Sequence, residues 1–240
     1  MRAVRLHEDG LRVEEIEAPA PRDGDVLVRV HAAAITRDEL EWPTDRLPAI
    51  VSYELSGEVV DTGEEVYALT PFDRDGVAAE YAVVPVSVLA PKPAGLSHVE
   101  AAALPMGGLT AWQALFEHGR LQSGERVIVT GARGGVGHIA VQLARWAGAD
   151  VVDGGPADLV FDTAGGSIPA GGRVVTIAAE APGAEYFIVE PSGEQLARFG
   201  EAGLRPEIDS TFPLERALEA FDRVAARGKR GKVVLDVAGG

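Results

Sequence analysis

Along the first ninety residues, apolar and polar positions alternate in short runs, each closed by a turn former. Residues 3–6, 25–31, 55–61, 65–69 and 79–84 have the period of two and the β-branched content of strands. Pro19, Pro21, Pro43, Pro48, Pro71, Pro85, Pro91 and Pro93 punctuate them. Short strands with closely spaced turn signals predict a small barrel-like β domain.

The period changes near residue 97. Ser97 followed by Glu100 is a capping-box spacing and predicts a helix start, with helix continuing over 109–118. Residues 125–130 read as a buried strand and 131–137 as a glycine-rich turn. Val136, Ile139, Ala140, Leu143, Ala144 and Ala147 then form one apolar stripe at helical spacing, and Gly148 stands where a glycine ends a helix. Residues 159–162 and 173–177 are two more buried strands. Strand, glycine turn, helix and strand together predict a parallel α/β sheet. In the tail, Leu214, Ala217, Leu218, Phe221 and Ala225 share a helical face behind Pro213, and 232–237 is a last strand.

Composition narrows the chemistry. The chain has 240 residues, 46% of them hydrophobic, and no cysteine. That composition is globular, and it excludes disulfides, a thiolate nucleophile and a Cys-ligated zinc. A net charge of −15 argues against nucleic acid and anionic membrane as partners. The N-terminus alternates like a strand and lacks a signal-peptide pattern, and no apolar run approaches a membrane span, so a cytoplasmic protein is expected.

Thr130-Gly131-Ala132-Arg133-Gly134-Gly135-Val136-Gly137 is the strongest local motif. Glycines let backbone approach a diphosphate closely, and the free amides and dipole of a helix N-terminus hold the anion. The strict G-x-G-x-x-G is absent, because Ala132 takes one position, but the predicted strand before and helix after supply the context. The competing reading is a tight turn that needs glycine for packing alone. Asp153 stands near the spacing of a ribose-binding acid, or is a turn residue before Gly154 and Gly155.

The run from Ala101 to Leu115 (AAALPMGGLTAWQAL) resembles the quinone oxidoreductase branch of the medium-chain dehydrogenase/reductases. So do the glycine turn, Phe161-Asp162-Thr163-Ala164-Gly165-Gly166, Gly171-Gly172-Arg173-Val174-Val175, Phe212-Pro213-Leu214-Glu215 and Arg230-Gly231-Lys232-Val233-Val234-Leu235. The resemblance implies an α/β protein with a GroES-like β-barrel domain, residues 1–96 completed by about 204–240, around a truncated Rossmann-type parallel sheet domain, residues 97–203. It implies reduction of an activated C=C bond or a quinone by NADPH or NADH, in a cleft between the domains.

By the same resemblance, Gly134, Gly135, Val136 and Gly137 hold the diphosphate and Thr110 lies near the nicotinamide and phosphates. Ala164 and Gly165, and Ile177 and Ala178, are turns above the cofactor. Phe187, Ile188 and Val189 close over the nicotinamide, and Lys232 reaches toward it. Plain core packing is the competing view at the hydrophobic positions. Arg133 is the candidate for a 2′-phosphate of NADP, or an ordinary exposed arginine.

Departures from the family are equally specific. The position of a zinc-binding His-Glu pair reads Tyr53-Glu54, so no metal is expected there. Thr36 stands where quinone reductases usually carry Asn, with a shortened loop running to Trp42 and Pro43. The candidate catalytic positions are Thr36, Trp42 and Tyr53. After Gly148 the chain goes almost directly to the strand at 159, and residues 166–169 join strands that a helix normally separates. Either the second strand and its helix are lost, or the second and third strands have merged at 149–153. Both reduce the adenosine wall. The alternative function is therefore a non-redox biosynthetic enzyme, a cyclase, isomerase or lyase without nucleotide. A small-molecule substrate is expected in either case, as is a homodimer paired through the sheet edge at 185–190.

Overall fold

The computed structural model describes residues 1–42, 46–168, 171–226 and 228–239; Pro43 and Pro169 lie outside the described residues. Among the described residues, positions 1–91 carry eight strands: β1 (Arg2–His7), β2 (Gly10–Glu15), β3 (Asp25–Ile35), β4 (Ala49–Ile50), β5 (Glu54–Val59), β6 (Glu65–Leu69), β7 (Tyr81–Pro85) and β8 (Leu89–Pro91). The sequence pattern misses β2, β4 and β8, which are short or half exposed and leave little alternation to detect.

β3 organises this region. It is 11 residues long and pairs with β7 through its first half and β5 along its length. Its last residues take β15 (Lys232–Asp236), which is joined in parallel by β14 (Ile208–Pro213). The order is β14-β15-β3-β5-β6-β8, with β7 on β3, and β2-β1-β4 forms a separate small sheet. The tail returns to the β region, on β3, through β15. α6 (Ala217–Ala225) seals it, burying Ala217, Ala220, Phe221 and Val224 in the same apolar cluster as Val28, Leu55 and Val233.

α1 (His98–Ala102) starts at Ser97 with the full capping box: the Ser97 hydroxyl accepts the Glu100 amide, and Glu100 accepts the Ser97 amide at 2.8 Å. Ala102 and Ala103 have no bulk, so α1 can sit directly on Ala32, Ala34 and Val234. α2 (Pro105–Trp112) follows, and Gln113–His118 continues it as a π-helical turn.

The second sheet contains β9 (Arg126–Thr130), β10 (Asp150–Val151), β11 (Leu159–Asp162), β12 (Arg173–Thr176) and β13 (Glu185–Tyr186), all parallel in the order β10-β9-β11-β12-β13. α3 (Gly137–Trp146) connects β9 to β10. It buries Ile139, Ala140, Leu143 and Ala144 completely, each large side chain contributing about 1.5–3 kcal/mol. Gly148 ends it at φ +81°, a left-handed conformation that glycine adopts without strain. α4 (Gly193–Ala197) and α5 (Phe199–Ala202) lead back to β14.

β10 shows how far the sheet extends on its flank of β9. It has two residues, lies beside β9 and is followed by a turn straight to β11 on the other side. The strand after α3 survives as a stub, and nothing among the described residues pairs outside it.

Candidate functional site

Three parallel strands end side by side, and an Asp162-centred network fixes the ends. Thr130, Asp162 and Thr176 are in register on β9, β11 and β12. Asp162 accepts from the Thr130 hydroxyl at 2.5 Å, the Thr176 hydroxyl at 3.0 Å, and the amides of Ala164 and Gly165 at 3.3 and 3.1 Å. Burial alone would raise its pKa, but these donors outweigh it and hold the carboxyl below its usual range. The network shapes the turns beyond the strands, which is where ligands bind in open α/β sheets.

The glycine turn is one of these. Gly131 has φ +65°, and a Cβ on Gly137 would meet the Gly131 carbonyl oxygen at 2.2 Å, so helix and turn close only with glycine there. Residues 131–134 are exposed, and the amides of Gly135 and Val136 have no partner among the described residues. His138 braces the turn: Nδ1 donates to the Gly134 carbonyl at 2.8 Å and Nε2 accepts the Glu207 amide at 3.0 Å. Burial lowers its pKa, in keeping with a neutral ring in that role.

Most cofactor candidates come together around this mouth. A Cβ on Gly131 would lie 3.3 Å from Ala164, one on Gly165 3.4 Å from Ala178, and one on Gly135 3.5 Å from the Lys232 side chain. Ile177 continues the β12 pairing, its amide on the Asp162 carbonyl, and Arg133 is exposed in the turn. Thr110 lies in α2, buried, its hydroxyl on the Met106 carbonyl at 2.6 Å; α2 meets the turn through Gly107, where a Cβ would strike the Gly135 carbonyl oxygen. Phe187 stacks on His118 at 4.4 Å, Ile188 is exposed, and Val189 precedes a two-way amide clamp between Gln113 and Glu190. These three belong with the π-helical turn and, among the described residues, form no hydrogen bond to the glycine turn.

Thr36 and Lys232 meet on a residue that sequence reasoning placed only as a lost zinc position. Glu54 is fully buried. Its Oε1 accepts from the Lys232 ammonium and from the Thr36 hydroxyl at 3.1 Å, and its Oε2 accepts the Met106 amide at 2.8 Å. Lys232 also donates to the Thr36 hydroxyl at 3.1 Å. Three elements of the β region and the start of α2 are thereby locked beside Gly135.

Trp42 and Tyr53 form an aromatic group with Phe72: Trp42 stacks on Tyr53 at 5.8 Å, and Phe72 sits edge-on to both. Behind them is Glu39, also missed from the sequence. It accepts the Thr36 amide at 2.9 Å and the Ser52 amide at 3.0 Å. Burial pushes its carboxyl up to about 8 against those bonds, so it is mainly protonated at neutral pH. A cavity of about 20 Å³ is lined by Glu39, Trp42, Tyr53, Leu6 and residues 49–51. The Thr36-x-x-Glu39 spacing, half of a capping box, was the available signal for Glu39.

The comparisons agree with this geometry. Residues 22–94 match the alcohol dehydrogenase GroES-like domain, and residues 139–235 match the zinc-binding dehydrogenase family. A "probable zinc-binding oxidoreductase, mitochondrial" of Arthroderma benhamiae is 32% identical over 95% of this chain and 93% of its own length. The chain belongs to the medium-chain dehydrogenase/reductase superfamily, in its quinone-oxidoreductase-like branch. That alignment runs over 308 positions against 240 residues here, so the relative carries segments this member lacks. The 2-methylene-furan-3-one reductase of Solanum lycopersicum is 28% identical over 95% of this chain and 76% of its own. The quinone oxidoreductase of Thermus thermophilus, solved also in complex with NADPH, superposes with a TM-score of 0.84 at 28% identity, covering 99% of this chain and 100% of that one.

A nicotinamide dinucleotide fits the residues present on the diphosphate side. The turn is open, the amides of Gly135 and Val136 are unpartnered among the described residues, and glycine stands where a Cβ would block the backbone at 131 and 137. On the adenosine side only the β10 stub and exposed Asp153 remain.

Proposed function

We propose that this chain reduces an activated C=C bond or a quinone with NAD(P)H bound at the 131–137 turn, without zinc at the reacting centre. The observation that carries the proposal is that turn, exposed at the C-terminal ends of β9, β11 and β12 and abutting Lys232. When bound, the nicotinamide supplies hydride. The amides of Gly135 and Val136 and the start of α3 bind the diphosphate. Gly134 and Gly137 keep the backbone close, while Thr110, Ala164, Gly165, Ile177 and Ala178 shape the wall. Phe187, Ile188 and Val189 cover it. Arg133, exposed in the turn, favours NADP over NAD by pairing with a 2′-phosphate.

On the substrate side stand Thr36, Trp42 and Tyr53. The Thr36 hydroxyl can turn from Glu54 to a carbonyl oxygen, because Lys232 keeps the buried carboxylate matched. Glu54 is already filled by Lys232, Thr36 and the Met106 amide, and the sequence offers no cysteine beside it, which supports zinc-independent chemistry. The mouth lies between the proposed domains, 1–96 with 204–240 and 97–203. Cytoplasmic location and a homodimer complete the proposal. Tyr186 and Ile188, exposed by 40% and 70% at the β13 edge, support the dimer. Among the described residues no helix is long and apolar enough to cross a membrane.

The test is oxidation of NADPH and NADH by the purified chain with a panel of quinones and enones. Turnover that requires both nucleotide and acceptor is expected. The β10 stub favours the second reading, a non-redox enzyme; turnover that persists after all nucleotide is removed would replace the first with it.

A further inference from the structure

Four residues away from Glu54 on the same face of β5, about 13 Å along the strand, Glu58 belongs to a different cluster. It stands directly opposite Glu65 on β6. Two carboxylates in that relation repel, so each needs a compensating partner. Each has one on its Oε2: Arg29 on Glu58 and Lys92, at 3.3 Å, on Glu65. Their Oε1 atoms face two histidine rings instead. Glu58 Oε1 is 3.7 Å from His31 Nε2, and Glu65 Oε1 is 3.2 Å from His98 Nε2. The two rings lie 4.2 Å apart between centroids.

The Ser56 hydroxyl lies 3.0 Å from the Val66 carbonyl oxygen and 2.8 Å from His98 Nδ1. With its hydrogen on the Val66 carbonyl it accepts from Nδ1–H, and in that arrangement His98 Nε2 is free to ligate a cation. His31 Nε2 is buried with no hydrogen-bond partner. An unpartnered nitrogen of His31 beside the His98 ring and the Glu58 carboxylate is a donor set that suits a cation.

We propose that His31, Glu58, His98 and Glu65 bind one divalent transition-metal ion, zinc by its donor set. One donor atom each from His31, Glu58 and His98 already lies within 4.8 Å of the others. Tetrahedral zinc with bonds of about 2.0–2.1 Å needs ligand atoms about 3.4 Å apart, so His31, Glu58 and His98 need only small side-chain movements, and Glu65, whose Oε1 is 3.2 Å from His98 Nε2, must swing toward the other two to complete the set. Ser56 on the far nitrogen of His98 and Arg29 and Lys92 on the outer carboxylate oxygens are the supporting contacts that such ligands use. His31 is at the β3 bulge between Val30 and Ala32, and His98 is the first residue of α1. The ion clamps the first helix of the nucleotide-binding half to β3, β5 and β6. It is a structural site with four protein ligands, separate from the Glu54 centre.

The experiment is a calorimetric titration of chelator-stripped full-length protein with zinc, beside thermal melts with and without the ion. One equivalent bound, with a melting temperature raised by zinc, is expected. The His31→Asn/His98→Asn double variant should lose the tight equivalent and its thermal shift. Glu58→Gln, which leaves both rings in place and guards against a folding defect, should weaken binding by about tenfold or more. Cobalt in place of zinc should give the visible absorption of a four-coordinate nitrogen and oxygen site. Absence of zinc binding by the intact chain, or unchanged stoichiometry and affinity in folded variants, would overturn the proposal.

Discussion

On one flank of β9 the parallel sheet continues through β11, β12 and β13, with its strand ends knitted together by Asp162. On the other flank it stops at the two-residue β10. The first flank carries the parts proposed to meet a diphosphate and a nicotinamide; the second is where an adenosine wall would stand. Shortening is heaviest beyond β10, and among the described residues the connection from β11 to β12 also carries no helix, yet the turn, α3 and the Lys232–Glu54 lock are intact. On the proposed reading, nucleotide affinity comes from the diphosphate outward to the nicotinamide, with little from adenosine.

The largest expected effect breaks the retained flank. Gly135→Leu places a branched side chain in the mouth against Lys232 and should weaken NADPH binding by about a hundredfold or more, read by tryptophan fluorescence. Gly135→Ala, whose Cβ finds ordinary contact, should bind nearly normally. Equal affinity in the Leu variant would remove the turn from the binding site. On stability rather than affinity, Lys232→Met leaves Glu54 charged without its cation and should cost about 3–5 kcal/mol in urea unfolding. Glu54→Gln added to it should recover part of that loss.

A smaller effect contrasts two buried acids. Glu54 is matched by Lys232, whereas Glu39 is held by two amides and burial lifts its pKa to about 8. An acid whose folded pKa lies above its unfolded value stabilises the fold while protonated, and that stability is lost as pH rises toward the folded value. His98 and His138, shifted down by burial, act in the opposite sense, but their contribution is complete above about pH 6.5. Unfolding free energy should then fall by roughly 1–2 kcal/mol between pH 6.5 and 8. Glu39→Gln should flatten the fall, while losing some stability at every pH because its amide nitrogen faces a backbone N–H. A wild-type curve that rises over that interval would contradict the assignment. The smallest effect belongs to the stripped flank: Asp153→Ala should change NADPH affinity by no more than about 0.5 kcal/mol, as for an exposed residue with little to lose.

The elements legible in the sequence were those with a strong local pattern. The capping box at Ser97 and Glu100, the stripe of α3, the strand at 159–162 and the tail strand all follow from period and punctuation. The glycine turn was legible as a motif because strand and helix frame it. What stayed hidden depends on distant partners. Glu54 and Lys232 are 178 positions apart, and only the return of β15 to β3 brings them together. Glu39 owes its protonation to burial, which one charged residue in a loop does not announce. The position of β10 at the sheet edge needed the sheet order, since a two-residue strand has no period.

The most direct test of the diphosphate cradle is a calorimetric titration of the intact chain with NADPH, repeated in the presence of ADP-ribose or adenosine. Saturable binding at one site, displaced by ADP-ribose and untouched by adenosine, is the predicted result. Failure of NADPH to saturate at millimolar concentration, or displacement by adenosine as effective as by ADP-ribose, would contradict it.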